Sequence, residues 1–237
     1  EASYQLNDMK EALAGYDVVL QKGWSDFAER SALKAATISA INNDNTAALK
    51  YYNMLRNYAM GKENLQEAYT GMMRSTYHQK QYTDAALYAD TLQSMQGLNE
   101  GQQTELLYIK AKSLYETGKQ DEAYPLFAKL VNNKKSIIAA EASYYVAESL
   151  LKAGKLKEAE EQANKAVKLA GGNDVLTVKS YLLIADVLIK QDDYFNAKAL
   201  LQSIAKNAKV PALKEEATKK LEEAKATETK KGKLKQD

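Results

Sequence analysis

The sequence predicts an all-α chain, a superhelical solenoid of antiparallel helix pairs, and three observations carry that prediction. A small residue returns in one helical context. Ala47 opens AALKYYNML, Ala85 opens AALYADTLQ, Ala123 opens AYPLFAKLV, Ala159 opens AEEQANKAV and Ala197 opens AKALLQSIA, at intervals of 38, 38, 36 and 38 residues. A period of this length marks helical repeats, each burying its apolar face only by stacking on its neighbours. The 237 residues include only 2 prolines and 11 glycines, and both disfavour helix interiors. Apolar residues recur at helical spacing and each run ends in a short polar break, which forces successive helices to lie antiparallel.

Taken in order, residues 1–22 carry Ala12 in MKEALAGYDVVL, which is the second-helix pattern. They read as the second helix of a truncated preceding repeat, and the chain as the C-terminal part of a longer protein; a lone N-terminal capping helix is the alternative. Five repeats follow, at about 23–61, 62–99, 100–135, 136–172 and 173–208. Leu107, Ala111 and Leu114 form one first-helix stripe, Ala147, Leu150 and Leu151 another, and Tyr181, Ile184, Ala185 and Leu188 a third. The stripes run into ETGKQD, KAGKLK and KQDD, and GKEN, GLNEG, NNKK and GGND punctuate the repeats. In the last of these, Gly171 can adopt the left-handed conformation that closes a helix, and Asn173 or Asp174 can cap the next. Pro125 is expected near the start of a second helix, where the first amides have no intrahelical partner. Residues 209–225 form a capping helix with Leu213, Ala217 and Leu221 as its single stripe, and 226–237 a basic, flexible tail.

In this register the chain resembles the tetratricopeptide repeat (TPR) family, which alternates two antiparallel helices and places small residues where they touch. The first-helix contact is Ala111, Ala147 and Ala185, with Met73 as an exception; the recurring alanines supply the second-helix contact, and Gly118 and Gly154 fill the turns. A larger side chain at the crossing would push the helices apart. Departures are the repeat length, the missing repeat-ending proline, NNDN in place of a glycine turn, and Lys110 at a position normally apolar. The mixed repeat lengths and tyrosine-rich helices are most similar to long repeat proteins of the bacterial cell envelope. That resemblance implies a periplasmic or outer-membrane-associated protein.

Composition argues against catalysis. There is no cysteine, His78 is the only histidine, and Gly61-Lys62, Gly118-Lys119 and Gly154-Lys155 lack the upstream glycine of a phosphate loop. A His-based metal cluster, a cysteine nucleophile and a phosphate loop therefore lack their parts. A net charge of +2 argues against a nucleic-acid surface, and no apolar run approaches the roughly 18 residues of a membrane span. No enzyme activity, cofactor or metal is expected. His78, one residue before a turn, reads as a cation favouring a helix C-terminus.

By resemblance to the family, the first helices line a concave groove. Its inward positions include Thr70, Arg74, Tyr77 and His78, then Tyr108, Lys112, Tyr115 and Glu116, then Tyr144, Glu148, Leu151 and Lys152, and finally Leu182, Asp186, Ile189 and Lys190. Tyr77, Tyr108, Tyr115 and Tyr144, flanked by Arg74, Lys112 and Glu148, are the expected partner-binding residues, since tyrosine is enriched at binding hot spots. Against this, 16 tyrosines beside 3 phenylalanines also suit a chain that uses tyrosine as half-buried filler. The Lys and Asn with which some family members clamp a C-terminal carboxylate are missing from these positions. The expectation is a monomeric, non-catalytic scaffold that binds a partner peptide or helix; the alternative is a structural spacer or oligomerisation segment of a larger envelope protein.

Overall fold

A computed structural model, describing residues 8–23 and 25–234, contains twelve α-helices and, among those residues, no strand. They are α1 (Met9–Lys22), α2 (Ser25–Ile41), α3 (Asn45–Tyr58), α4 (Lys62–His78), α5 (Tyr82–Ser94) and α6 (Glu100–Glu116), then α7 (Gln120–Ala128), α8 (Ser136–Lys152), α9 (Leu156–Leu169), α10 (Asp174–Lys190), α11 (Tyr194–Asn207) and α12 (Pro211–Leu234). The expected elements at residues 1–7 and 235–237 lie outside the described residues. The architecture is an all-α helical-repeat solenoid. The first helices of the pairs, α2, α4, α6, α8 and α10, each have 17 residues, so a given position along one first helix corresponds to the same position along the next.

One turn geometry joins the two helices of every pair. The residues at its left-handed position are Asn43, Lys80, Gly118, Gly154 and Asp192, with φ of 58°, 60°, 80°, 73° and 64°. In each case the next residue's amide donates to the carbonyl five residues before it, as in Lys119 N–H to Leu114 O at 2.8 Å and Gln81 N–H to Thr76 O at 2.8 Å. These bonds satisfy carbonyls that the end of a helix leaves without partners. The second helix then starts in a fixed register. Its contact alanine donates its amide to the carbonyl of the residue four before it: Ala48 to Asp44, Ala85 to Gln81, Ala123 to Lys119, Ala159 to Lys155 and Ala197 to Asp193.

That register corrects the first repeat. The contact alanine there is Ala48, with no exposed surface, while Ala47 is only half-buried. The Asp44 carboxylate caps the Ala47 amide at 2.9 Å, which fixes Ala47 in the first turn and puts its neighbour on the packing face. Ala85, Ala123, Ala159 and Ala197 are fully buried, as are Ala111, Ala147, Ala185 and Met73 on the first helices. Lys110, at a position normally apolar, is half-buried and pairs with Asp90 and with Gln93 Oε1 at 3.0 Å, both on α5. Pro125 departs from expectation: it is the sixth residue of α7, beyond the four amides that need no partner. This helix has 9 residues where α3, α9 and α11 have 14, and the proline leaves one of its intrahelical bonds unmade.

The chain divides into two compact units, residues 1–123 and 124–237. In the first, α2, α4 and α6 pack as successive neighbours, with α3 and α5 as their antiparallel partners. Gly71, inside α4, makes room for the buried Tyr52 ring of α3: a Cβ there would stand 2.2 Å from Tyr52 Cε2. In the second unit α8, α10 and α12 are successive neighbours in the same way. Thus α12 takes the place of a first helix, burying Leu213, Ala217, Leu221 and Ala224 with Leu182, Ala185, Leu201 and Ile204. It also runs to Leu234, where the sequence reading ended the helix at 225 and began a flexible tail. The continuation pairs Glu228 with Lys198 and Lys231 with Asp192.

Candidate functional site

Because the first helices share one length, the expected site residues fall on three equivalent positions. Thr70, Tyr108, Tyr144 and Leu182 are the ninth residues of their helices; Arg74, Lys112, Glu148 and Asp186 the thirteenth; Tyr77, Tyr115, Leu151 and Ile189 the sixteenth. Positions three, four and seven apart lie on one helix face, so α6, α8 and α10 each carry an aromatic or apolar residue on either side of a charged one, whereas α4 has Thr70 in the first of these places.

In the N-terminal unit, Tyr77, Tyr108, Lys112 and Tyr115 are half-buried and Arg74 is exposed. Tyr77 lies edge-on to His78 at 5.8 Å and to Tyr82 at 5.9 Å. It packs with Tyr108 against the cluster of Met73, Ala89 and Ile109. Lys112 and Tyr115 are also engaged by neighbouring groups. Arg74 forms a two-pronged pair with Glu105 of α6, both contacts at 2.6 Å, and this hydrogen bond holds its guanidinium above the usual basicity. Tyr52 reaches the same neighbourhood across Gly71. Burial pushes its phenol up to about 12, with Glu67 adding to the rise and Arg74 opposing it. Thr70 is not on the open face, being 2 % exposed.

In the C-terminal unit, Tyr144 and Glu148 border a pocket of about 330 Å³ shared with Leu151, Leu182, Asp186 and Glu216. Tyr144 is half-buried and edge-on to Tyr145 at 5.2 Å. Burial raises its phenol well above the usual range, and Glu148, Tyr145, Glu216 and Asp186 all add to that rise. Glu148 accepts from the Tyr124 hydroxyl at 3.3 Å and lies 3.6 Å from Lys152 Nζ. Lys152 donates to the Tyr124 hydroxyl at 2.9 Å, which raises the lysine's basicity. Asp186 accepts two bonds from Lys220 of α12, at 2.7 and 2.8 Å. Leu182, expected to line the groove, is 3 % exposed because α12 packs over it.

The expected residues therefore separate. Tyr77, Tyr108, Lys112, Tyr115 and Arg74 belong to one unit, Tyr144 and Glu148 to the other. The residues that sequence reasoning missed come from outside the first helices: Tyr52 from α3, and Glu216 and Lys220 from α12. The single stripe Leu213, Ala217, Leu221 already fixed the buried face of α12, and positions 216 and 220 border that face by helical spacing. Among the described residues, no group of three or more His, Cys, Asp or Glu could hold a metal ion, and no helix is long and apolar enough to cross a membrane.

Comparison with known proteins agrees with this architecture. Residues 78–166 match the family described as anaphase-promoting complex, cyclosome, subunit 3. No curated protein matches the chain. Among solved structures, YrrB, described as a TPR protein with an unusual peptide-binding site, is similar with a TM-score of 0.64 at 15 % identity, covering 86 % of this chain and 97 % of its own. At that identity the likeness speaks for the fold alone. The chain has the fold of a tetratricopeptide-repeat protein.

Proposed function

We propose that the chain is a non-catalytic protein-interaction scaffold that holds a partner peptide or helix against its first helices. The observation that carries this reading is the placement of tyrosines at the ninth and sixteenth positions of equal-length helices, half-buried and flanking a charged residue. Such side chains keep one edge for a ligand while their rings are already fixed by packing, so little entropy is lost on binding. The likeness to a TPR protein with a peptide-binding site, and the match to a subunit of a multiprotein complex, support the same role. On this reading the scaffold comprises five repeats between about 23 and 208, with α12 closing the series. Its tyrosine-rich, mixed-length repeats resemble those of long cell-envelope repeat proteins, and that resemblance alone favours a place in the cell envelope.

The test is a pair of variants measured against a peptide selected on the protein from a random phage-displayed library. Tyr108→Ala, for a peptide held by the N-terminal unit, or Tyr144→Ala, for one held by the C-terminal unit, should weaken binding by about 2 kcal/mol or more, read by calorimetry. Unchanged affinity sinks the assignment. The spacer reading draws on Arg74, whose guanidinium is committed to Glu105. It requires self-association, so mass that rises with concentration in light scattering would favour it.

A further inference from the structure

In the C-terminal unit, the connections that lead from one helix pair to the next carry an uneven charge. Residues 129–137, 165–175 and 206–212 run from the end of a second helix to the start of the following first helix. They hold seven lysines, three in the first stretch and two in each of the others, against one carboxylate, Asp174. Alternating antiparallel helices put every such connection at the same end of the stack. Two bonds tie successive connections into one edge: Lys165 Nζ donates to Asn132 Oδ1 at 2.7 Å, and Lys209 Nζ to Asp174 Oδ2 at 2.8 Å. The second bond also neutralises the one carboxylate. Six of the seven lysines are exposed and Lys165 is half-buried. The carboxylates Glu141, Glu215 and Glu216 lie further along the first helices, where Lys179 and Lys214 accompany them. The matching connections of the N-terminal unit, 56–63 and 93–101, balance Arg56 and Lys62 with Glu63 and Glu100. Two aliphatic side chains stand among the lysines of the C-terminal edge. Ile137 and Val175, each the second residue of its first helix, are 41 % and 43 % exposed.

We infer that this edge of the C-terminal unit docks on an anionic phospholipid surface, with its lysines among the headgroups and Ile137 and Val175 entering the boundary of the acyl region. The inference goes beyond the scaffold reading and does not depend on it, because it uses residues at the helix ends rather than the ninth to sixteenth positions of the first helices. Charge complementarity selects the occupant. A charged membrane presents phosphates at no fixed positions and attracts each nearby lysine separately. Lysine, a flexible point charge, suits such a target, whereas recognition of carboxylates or phosphates in a fixed geometry favours the planar fork of arginine. The three stretches contain no arginine and no aromatic residue. They therefore lack the stacking groups of a single-stranded nucleic-acid site and the aromatic anchors of a peptide hot spot. Aliphatic side chains set among cations are the combination that holds a protein in the plane of a membrane interface.

The experiment sediments the full chain with vesicles of phosphatidylglycerol and phosphatidylcholine in equal parts, and with vesicles of phosphatidylcholine alone. The protein should pellet with the first and not with the second, and added salt should release it. The combined variant Lys129→Gln, Lys135→Gln, Lys168→Gln and Lys206→Gln leaves both bonds between connections in place and should weaken vesicle binding by about tenfold or more. Ile137→Ser with Val175→Ser should weaken it several-fold while keeping its salt dependence. Arg56→Gln with Lys62→Gln, in the N-terminal unit, should leave it unchanged, and circular dichroism checks that all three variants stay folded. No pelleting with anionic vesicles, equal pelleting with both kinds, or a loss in the N-terminal variant matching that of the four-lysine variant overturns the inference. Pelleting unchanged by the four glutamines does the same, and pelleting unchanged by the two serines overturns the entry of Ile137 and Val175. Soluble polyglutamate tests the other occupant: if it binds through the same four lysines while the vesicles do not, the edge serves an acidic polypeptide and the membrane assignment fails.

Discussion

The first-helix faces of the two units use the same helix positions in opposite ways. In the N-terminal unit the thirteenth-position Arg74 is closed by Glu105 from the next first helix, and the tyrosines at 77 and 108 pack onto a shared apolar cluster. In the C-terminal unit the next helix in the row of first helices after α10 is α12, which buries a single apolar stripe. It covers Leu182 and delivers Lys220 to Asp186, while Glu216 stands at the border of a pocket. Equivalent positions are thus not equivalent sites. What a position does depends on the side chains its successor brings, and the repeat period carries no information about those.

The strongest way to break the contrast is to loosen α12. Leu213 is 7 % exposed in the α12 cluster, and Leu213→Ala should cost about 2 to 5 kcal/mol. Nearest-neighbour coupling in a repeat array predicts that the loss stays local. Hydrogen exchange should speed up in α11 and α12 while α3 and α4 keep their protection. A uniform rise along the chain would mean that the two faces are not separately supported.

A smaller effect of the same kind tests the N-terminal face. Alanine is normally the better helix residue by about 1 kcal/mol, so Gly71→Ala would stabilise an open helix. Here the added Cβ meets the Tyr52 ring at 2.2 Å, and Tyr52 is buried. The expected outcome is a net destabilisation of about 1 to 3 kcal/mol in urea unfolding; in a Tyr52→Ala background, itself destabilised by the lost ring, the same change should instead stabilise by about 1 kcal/mol. If Gly71→Ala stabilised the protein, the passage of Tyr52 across α4 would be wrong.

These two cases show what the sequence could and could not convey. The alanine period and the apolar stripes are local signals, and they located the helix pairs because packing distance is set by the residue at the crossing. Even there the sequence pointed to Ala47, and the Asp44 cap moves the contact to Ala48. Gly71 carried no such signal, since a glycine inside a helix reads only as a weakness until the ring it admits is known. The extension of α12 past 225 escaped for a related reason: the KATETKKGK stretch is polar throughout, and its ordering rests on Ala224 and on the Glu228 and Lys231 pairs made with a different helix. The tyrosines were legible as positions, but their partners across helices were not.

The smallest expected effect compares the turn of α4 and α5 with that of α8 and α9. Both place one residue in the left-handed region, Lys80 at φ 60° and Gly154 at φ 73°. Both close on matching bonds, with Gln81 N–H to Thr76 O at 2.8 Å and Lys155 N–H to Leu150 O at 2.9 Å. A side chain in this conformation costs roughly 1 to 2 kcal/mol, while glycine costs roughly 0.5 to 1 kcal/mol in unfolded-chain entropy. Lys80→Gly should therefore stabilise by about 0.7 kcal/mol, the midpoint of the difference between those two terms. Gly154→Ala should destabilise by about 1 kcal/mol, and since a Cβ at 154 meets nothing within 4 Å, that cost is conformational rather than steric. Opposite signs in thermal unfolding would establish that one backbone turn serves both units and that only its residue differs. Equal signs would mean that Lys80 is held by its side chain, and that the turn is another position whose role depends on its surroundings.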